Sequence, residues 1–142
     1  MPDTGIFREQ HRRILIKARE LSQLMVADKL AEDTMDARSA LAEMAGLINV
    51  HLAMEDQGLY PILLENSDPK VRREAEAYIA EMGSIGEEFK NYMQTWVHSN
   101  TAQDDPHRFI KDTRDILDKL TNRMYREDNE LYILVERLDR DV

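Results

Sequence analysis

Five polar side chains stand where a helical core would place apolar ones: His11, His51, Glu55, Arg123 and Glu127. Each lies on a stripe of apolar residues recurring at three- and four-residue spacing, the period of one helix face. His51 and Glu55 are four residues apart, as are Arg123 and Glu127, so each pair shares a face of its helix. Imidazole and carboxylate are donors that first-row metals take from proteins. Neutral imidazole suits iron, manganese or zinc, and carboxylate adds the charge that favours a divalent or trivalent ion. Without a cation, two buried carboxylates repel and raise each other's pKa. The positive partner they need is a metal ion or the Arg123 guanidinium, which could bridge Glu55 and Glu127 through paired hydrogen bonds. A single histidine on an apolar stripe reads as a satisfied core residue; two at one level, with Glu55 one turn from His51, favour a metal.

The stripes define the elements that must carry these residues. A first helix beginning after Asp3 or Thr4 carries Phe7, His11, Ile14, Ala18, Leu21 and Met25. Glu32-Asp33-Thr34 supplies a turn and an N-cap, and a second helix follows with Ala37, Leu41, Met44, Ile48, His51, Glu55 and Gly58. Leu24 and Leu52 lie beside these stripes and broaden them. Pro61 bends the last turn of the second helix by clashing with the carbonyl four residues back. Ser67-Asp68-Pro69 is an N-cap followed by proline at the first helical position, and opens a third helix with Val71, Ala75, Tyr78, Met82, Ile85, Phe89, Tyr92 and Trp96. After a loop over residues 98–104, Asp105-Pro106 repeats the signal for a fourth helix carrying Phe109, Thr113, Ile116, Leu120, Arg123, Glu127, Leu131, Leu134 and Leu138. Four long helices with short connections predict an all-α, up-down-up-down four-helix bundle, one domain over residues 1–142.

Register brings the polar positions together. Residues equidistant from a turn lie at one height in antiparallel neighbours, so with turns centred near 32, 67 and 102, His11 faces about residue 53, which faces about 81, which faces about 122, within a helical turn or so. All five polar positions then fall in one layer, the arrangement from which bundle cores build metal sites.

Composition narrows the function. The chain has 142 residues, 19 Lys+Arg against 28 Asp+Glu, a net charge of −9 and no cysteine. The acidic balance argues against nucleic acid or an anionic membrane as main partner. The missing thiols exclude disulfide frameworks, zinc fingers and cysteine nucleophiles. The N-terminus lacks a signal-peptide pattern, and no window approaches the ~18 apolar residues of a membrane span, so the expected location is cytoplasmic. There is no G-x-S-x-G and no Gly-rich phosphate loop.

The segment His51-Leu52-Ala53-Met54-Glu55-Asp56-Gln57-Gly58-Leu59-Tyr60-Pro61 resembles the H-x-x-x-E…L-Y-P segment of hemerythrin-like, HHE cation-binding proteins. His11 sits where that family's first histidine ligand belongs. Glu127-Asp128-Asn129-Glu130-Leu131-Tyr132 echoes Glu55 through Tyr60 and is similar to the family's second carboxylate segment. The resemblance implies a four-helix bundle holding a non-haem di-iron centre, with bridging carboxylates and histidines from the first and second helices on one iron and from the third and fourth on the other. It implies oxygen binding, iron storage or sensing, or a response to oxidants.

This chain departs from that pattern on one side. Met82 and Gly86 stand where histidines of the third helix are expected, and Arg123 stands where the last histidine is expected. The half belonging to the first two helices survives. The surviving half predicts a mononuclear site, most simply iron, with His11, His51, Glu55 and Glu127 as ligands and Arg123 as the charge partner replacing the second metal. Dioxygen or a small oxidant is the corresponding partner. Reversible oxygen binding of the di-iron kind is not expected. An oxidase- or peroxidase-like activity at one iron is a weaker reading. The alternative class is a metal-free bundle kept as a regulatory or interaction module.

The remaining candidates are plainer. His98 and His107 read as solvent-exposed loop histidines, and Met44, Met82 and Met93 as core filling. Tyr60 and Tyr132 are either hydroxyls beside the site or outward-facing rim residues. Gly83 and Gly86 permit either close helix contact or a channel toward the polar layer. Glu87, Glu88, Asp139 and Asp141 read as charges on a solvated face.

Overall fold

The computed structural model describes residues 2–97 and 100–140, so His98 and Asp141 lie outside the described residues. The described residues form helices and turns without a strand. The helices are α1 (Thr4–Gln23), α2 (Ala27–Glu32), α3 (Met35–Gly58), α4 (Tyr60–Leu64), α5 (Pro69–Trp96), α6 (Thr101–Asp104), α7 (Pro106–Arg126) and α8 (Tyr132–Arg140), with a π-helical turn over Glu127–Leu131 joining α7 to α8. The four long helices begin where the capping signals place them. Asp3 caps α1 by accepting from the Gly5 amide at 2.8 Å, Asp68 caps α5 from Lys70 at 2.9 Å, and Asp105 caps α7 from Arg108 at 3.3 Å, each satisfying an amide the helix itself leaves unpaired. At α3 the capping differs from expectation. Thr34 makes no side-chain cap; Asp33 accepts from the Met35 amide at 2.8 Å instead, and Thr34 is buried.

The break at Pro61 is real. α3 ends at Gly58, and the short α4 restarts with Tyr60 and Pro61 in its first turn. The segments between the long helices also hold α2 and α6, which pack on one another and on α7. At six and four residues, they are too short to show a hydrophobic period.

The core is divided in two. One apolar cluster runs through Ile14, Leu21, Leu41, Met44, Ile48, Phe89, Trp96, Phe109 and Leu120. The other holds Phe7, Leu59, Leu63, Val71, Tyr78, Leu131, Tyr132 and Val135. The polar positions lie between them along the chain: His11 between Phe7 and Ile14, His51 and Glu55 between Ile48 and Leu59, and Arg123 and Glu127 between Leu120 and Leu131. A polar layer sandwiched by two apolar ones is cut off from water on both sides, so every charge in it must find its partner inside the layer.

The π turn changes the face that the chain presents beyond Glu127. The Tyr132 amide bonds to the Glu127 carbonyl, five residues back, which adds one residue to the turn. The expected buried stripe Leu131, Leu134, Leu138 becomes Leu131, Tyr132, Val135, with Leu134 and Leu138 only half-buried. The extra residue carries Tyr132 inward, into the polar layer.

Candidate metal centre

Two imidazoles from neighbouring helices meet with their rings tilted by 57°. His11 Nε2 and His51 Nε2 are 2.9 Å apart, and the two side chains are 1% and 3% exposed. The far nitrogen of each ring is held by an acceptor. His11 Nδ1 lies 2.9 Å from the Asp128 carboxylate, and a carboxylate only accepts, so Nδ1 carries the hydrogen. His51 Nδ1 lies 2.7 Å from Gln10 Oε1. Gln10 is oriented by its own amide nitrogen, which donates to Met54 Sδ at 2.9 Å, so His51 Nδ1 also donates. In the neutral rings both Nε2 atoms therefore turn lone pairs toward the same space.

The carboxylates point into that space too. Glu127 Oε1 lies 3.1 Å from His11 Nε2 and 3.6 Å from His51 Nε2. Glu55 Oε1 lies 3.1 Å from His51 Nε2. His11, His51 and Glu127 offer donor atoms that all lie within 4.8 Å of one another. Glu55 approaches this trio through His51 and is tied to it by Tyr132, whose hydroxyl donates to Glu55 Oε2 at 3.0 Å and stands 3.3 Å from His11 Nε2. Glu55 Oε1 and Glu127 Oε2 accept no hydrogen bond from any described residue. Buried acceptors facing one another are costly unless a cation sits among them.

Protonation equilibria express the same need. Burial opposes charge on His51, but the Glu127 and Glu55 carboxylates outweigh it and push the imidazole up to about 9. Burial, helped by the like charge of Glu127, raises Glu55 to about 7 against the lowering effect of His51. Glu127 is itself lowered: burial works against its charge, and hydrogen bonds with His11, His51 and Glu55 prevail. With no metal bound, a proton on His51 is the cation among the imidazoles and carboxylates.

Arg123 fills the opposite side. Its Nη2 donates to the Tyr78 carbonyl at 2.8 Å and to the Tyr60 hydroxyl at 3.2 Å, Nη1 is 3.2 Å from Glu81 Oε2, and the guanidinium stacks over the Tyr78 ring at 4.4 Å. Arg126 pairs with the same Glu81. Toward the carboxylates Arg123 offers only Nε, 3.6 Å from Glu127 Oε2. The expected bridge by paired hydrogen bonds between Glu55 and Glu127 is not formed: Nη2 is turned to Tyr78 and Tyr60, and Nη1 lies beside Glu81, while Nη1 and Nε form no hydrogen bond with any described residue.

The structure thus brings His11, His51, Glu55, Glu127, Arg123, Tyr60 and Tyr132 into one buried layer. The rim reading of the tyrosines is overturned: both are buried, and burial raises both phenol pKa values. Met82 is half-buried and lines a cavity between α3 and α5. His107 is exposed, as expected. Close helix contact at the glycines is also overturned, since a Cβ at Gly83 or Gly86 would meet nothing within 4 Å. Sequence reasoning misses three participants: Gln10 and Asp128, which orient the imidazoles, and Glu81, which neutralises Arg123. The only sequence signal for the first two is adjacency, one residue before His11 and one after Glu127.

Imidazole and carboxylate donors converging in a dry layer of an all-helical fold, with each outer ring nitrogen anchored, are the hallmarks of a cation-binding helical bundle. Residues 3–135 match the family described as Hemerythrin HHE cation binding domain, and the chain belongs to that family. No curated protein and no solved structure gives a significant match. Among the described residues no helix is long and apolar enough to cross a membrane.

Proposed function

We propose that the chain binds a single iron ion through His11, His51, Glu55 and Glu127, and that this site serves in sensing or storing iron or in sensing oxygen. One observation carries the reading: two imidazole lone pairs and two carboxylates face the same buried space, with both outer ring hydrogens committed to Asp128 and Gln10. That is the tautomer a metal-ligating histidine adopts, and the outer acceptor raises its basicity. The residues fit a cation in type, charge and orphaned oxygens. Bound iron would supply Lewis acidity and a one-electron redox couple to the layer. This chain's own residues hold the donors in place, exclude water and keep the Tyr132 hydrogen on Glu55. Arg123 supplies a fixed positive charge on the α5 and α7 side, which is why one ion rather than two is proposed.

A metal-free bundle acting as a regulatory or interaction module is the alternative, favoured by the proton that His51 can carry in place of a metal. It is the weaker reading, because Arg123 touches only one of the two carboxylates, and loosely. Elemental analysis of freshly purified chain tests the choice. About one iron per chain is expected for a one-ion set of donors. No metal after anaerobic reconstitution, with melting unchanged, would sink the metal reading, and a bridged di-iron spectrum would contradict the single-ion count.

A further inference from the structure

Beside the polar layer, α3 and α5 part and leave a cavity of about 350 Å³ closed at its base by α7. Its walls are Ile48 and Leu52 from α3, Met82, Phe89 and Met93 from α5, and Leu120 from α7. The volume lies in the range of small-molecule sites. The shape is a slot: the lining runs from Ala45 to Leu52 on one helix and from Met82 to Met93 on the other, lengths of about 10 Å and 16 Å at the helical rise. An elongated apolar slot takes an extended chain better than a compact ring.

Its polar lining consists of Asn49 and Lys90, both exposed, and no acidic residue takes part. Arg123 and Arg126 are paired with Glu81. Lys90 makes no ion pair or hydrogen bond with any described residue, although the chain carries 28 carboxylates. A lysine stem lies readily along apolar surface with its ammonium at the rim. An exposed ammonium on the rim of an apolar slot, with an amide further along the same rim, suits an anionic headgroup on an aliphatic chain. Gly86 lines the slot, and a Cβ there would meet nothing within 4 Å, so the space is unfilled rather than needed for helix contact.

We propose that this slot binds a medium-chain aliphatic carboxylate, its chain laid between α3 and α5 and its headgroup on Lys90 and Asn49. Neither headgroup contact belongs to the metal centre, so binding in the slot is independent of the metal.

Calorimetric titration with decanoate, on both the iron-loaded and the chelator-treated chain, tests it. Saturable one-to-one binding is expected, equal in the two forms within about twofold. Gly86→Leu should weaken it by about tenfold or more, the weight of two buried methylene groups, without lowering the melting temperature, because leucine favours helix over glycine. Lys90→Gln should weaken decanoate by about threefold, the scale of an exposed ion pair, and leave decanol unchanged. Three results would overturn the proposal: no saturation, unchanged binding by a folded Gly86→Leu chain, or binding only when iron is present, which would make the carboxylate a metal ligand instead.

Discussion

The two sides of the polar layer meet the cost of buried charge differently. Around the α1 and α3 imidazoles, His11, His51, Glu55 and, from the π turn after α7, Glu127 turn acceptors toward one another, and two carboxylate oxygens lack a donor. On the α5 and α7 side, Arg123 is a permanent cation whose Nη2 donates to Tyr60 and the Tyr78 carbonyl and whose Nη1 lies 3.2 Å from Glu81, although Nη1 and Nε form no hydrogen bond. The first side needs a cation from outside; the second was built with one. A guanidinium does not titrate at physiological pH, so the charge of the second side is fixed, while that of the first changes with the proton on His51.

Removing a donor from the open side should have the largest effect. His51→Ala deletes the imidazole that touches His11, Glu55 and Glu127 together. Iron affinity should fall by more than the 10–100-fold that loss of an outer partner costs, measured by competition with a chromophoric chelator. Retention of full iron content would show that these donors are not the ligands.

Removing the cation from the closed side should do the reverse. Arg123→Met leaves Glu81 without its buried partner and removes the charge next to Glu127. Breaking a buried pair costs about 3–5 kcal/mol, with the lower end apt here because Glu81 is half-exposed and keeps Arg126. Urea denaturation should register that loss while the iron content of the folded fraction stays near one per chain. Equal loss of iron would mean that Arg123 supports the ligands directly and that the two sides are not separable.

The residues of both sides are legible in the sequence because they violate a pattern. His11, His51, Glu55, Arg123 and Glu127 are polar on apolar stripes, and register alone places them in one layer. Gln10, Asp128 and Glu81 are not legible, because they are half-buried at the edges of stripes, where polar residues are ordinary. The π turn leaves no mark either: a backbone insertion of one residue has no side-chain signature, and only the paired burial of Leu131 and Tyr132 betrays it. The stripe overstates the apolar face of α5 at Met82 and Ile85, which it counts as core and which the structure leaves half-covered.

The outer partners of the imidazoles give a finer test of the open side. Asp128→Asn keeps the size of the side chain but presents a weaker acceptor to His11 Nδ1. Iron affinity should fall by about tenfold, the lower end of the range for such partners, and thermal stability of the metal-free chain should change little. An unchanged affinity would reassign Asp128 to its surface pairing with Arg8.

Acidity separates the two sides without mutation. His51 is held up to about 9 in the fold against 6.5 ordinarily, burial opposing the charge and Glu127 and Glu55 prevailing. A raised folded pKa contributes stability that is full below 6.5 and is lost as pH climbs through 9. Glu55, raised by burial from 4.5 to about 7, acts in the same sense at lower pH. Calorimetry of the chelated chain should therefore show melting falling from pH 6.5 to 9, while the increment that iron adds grows across that interval, because metal and proton compete for the same donors. Parallel curves with and without iron would place the metal elsewhere.

The smallest expected effect concerns α5 and whether it contributes anything to the site besides the partner of Arg123. If its glycines served to bring the helix close to the polar layer, a methyl group would strain the packing. A Cβ at Gly83 meets no atom within 4 Å, and the residue is exposed. Gly83→Ala should therefore stabilise the chain by up to about 1 kcal/mol, through helix propensity alone, with iron affinity unchanged. Destabilisation, or any loss of iron, would mean that α5 approaches the ligands more closely in the metal-bound protein, and the closed side would then have to be counted as part of the site.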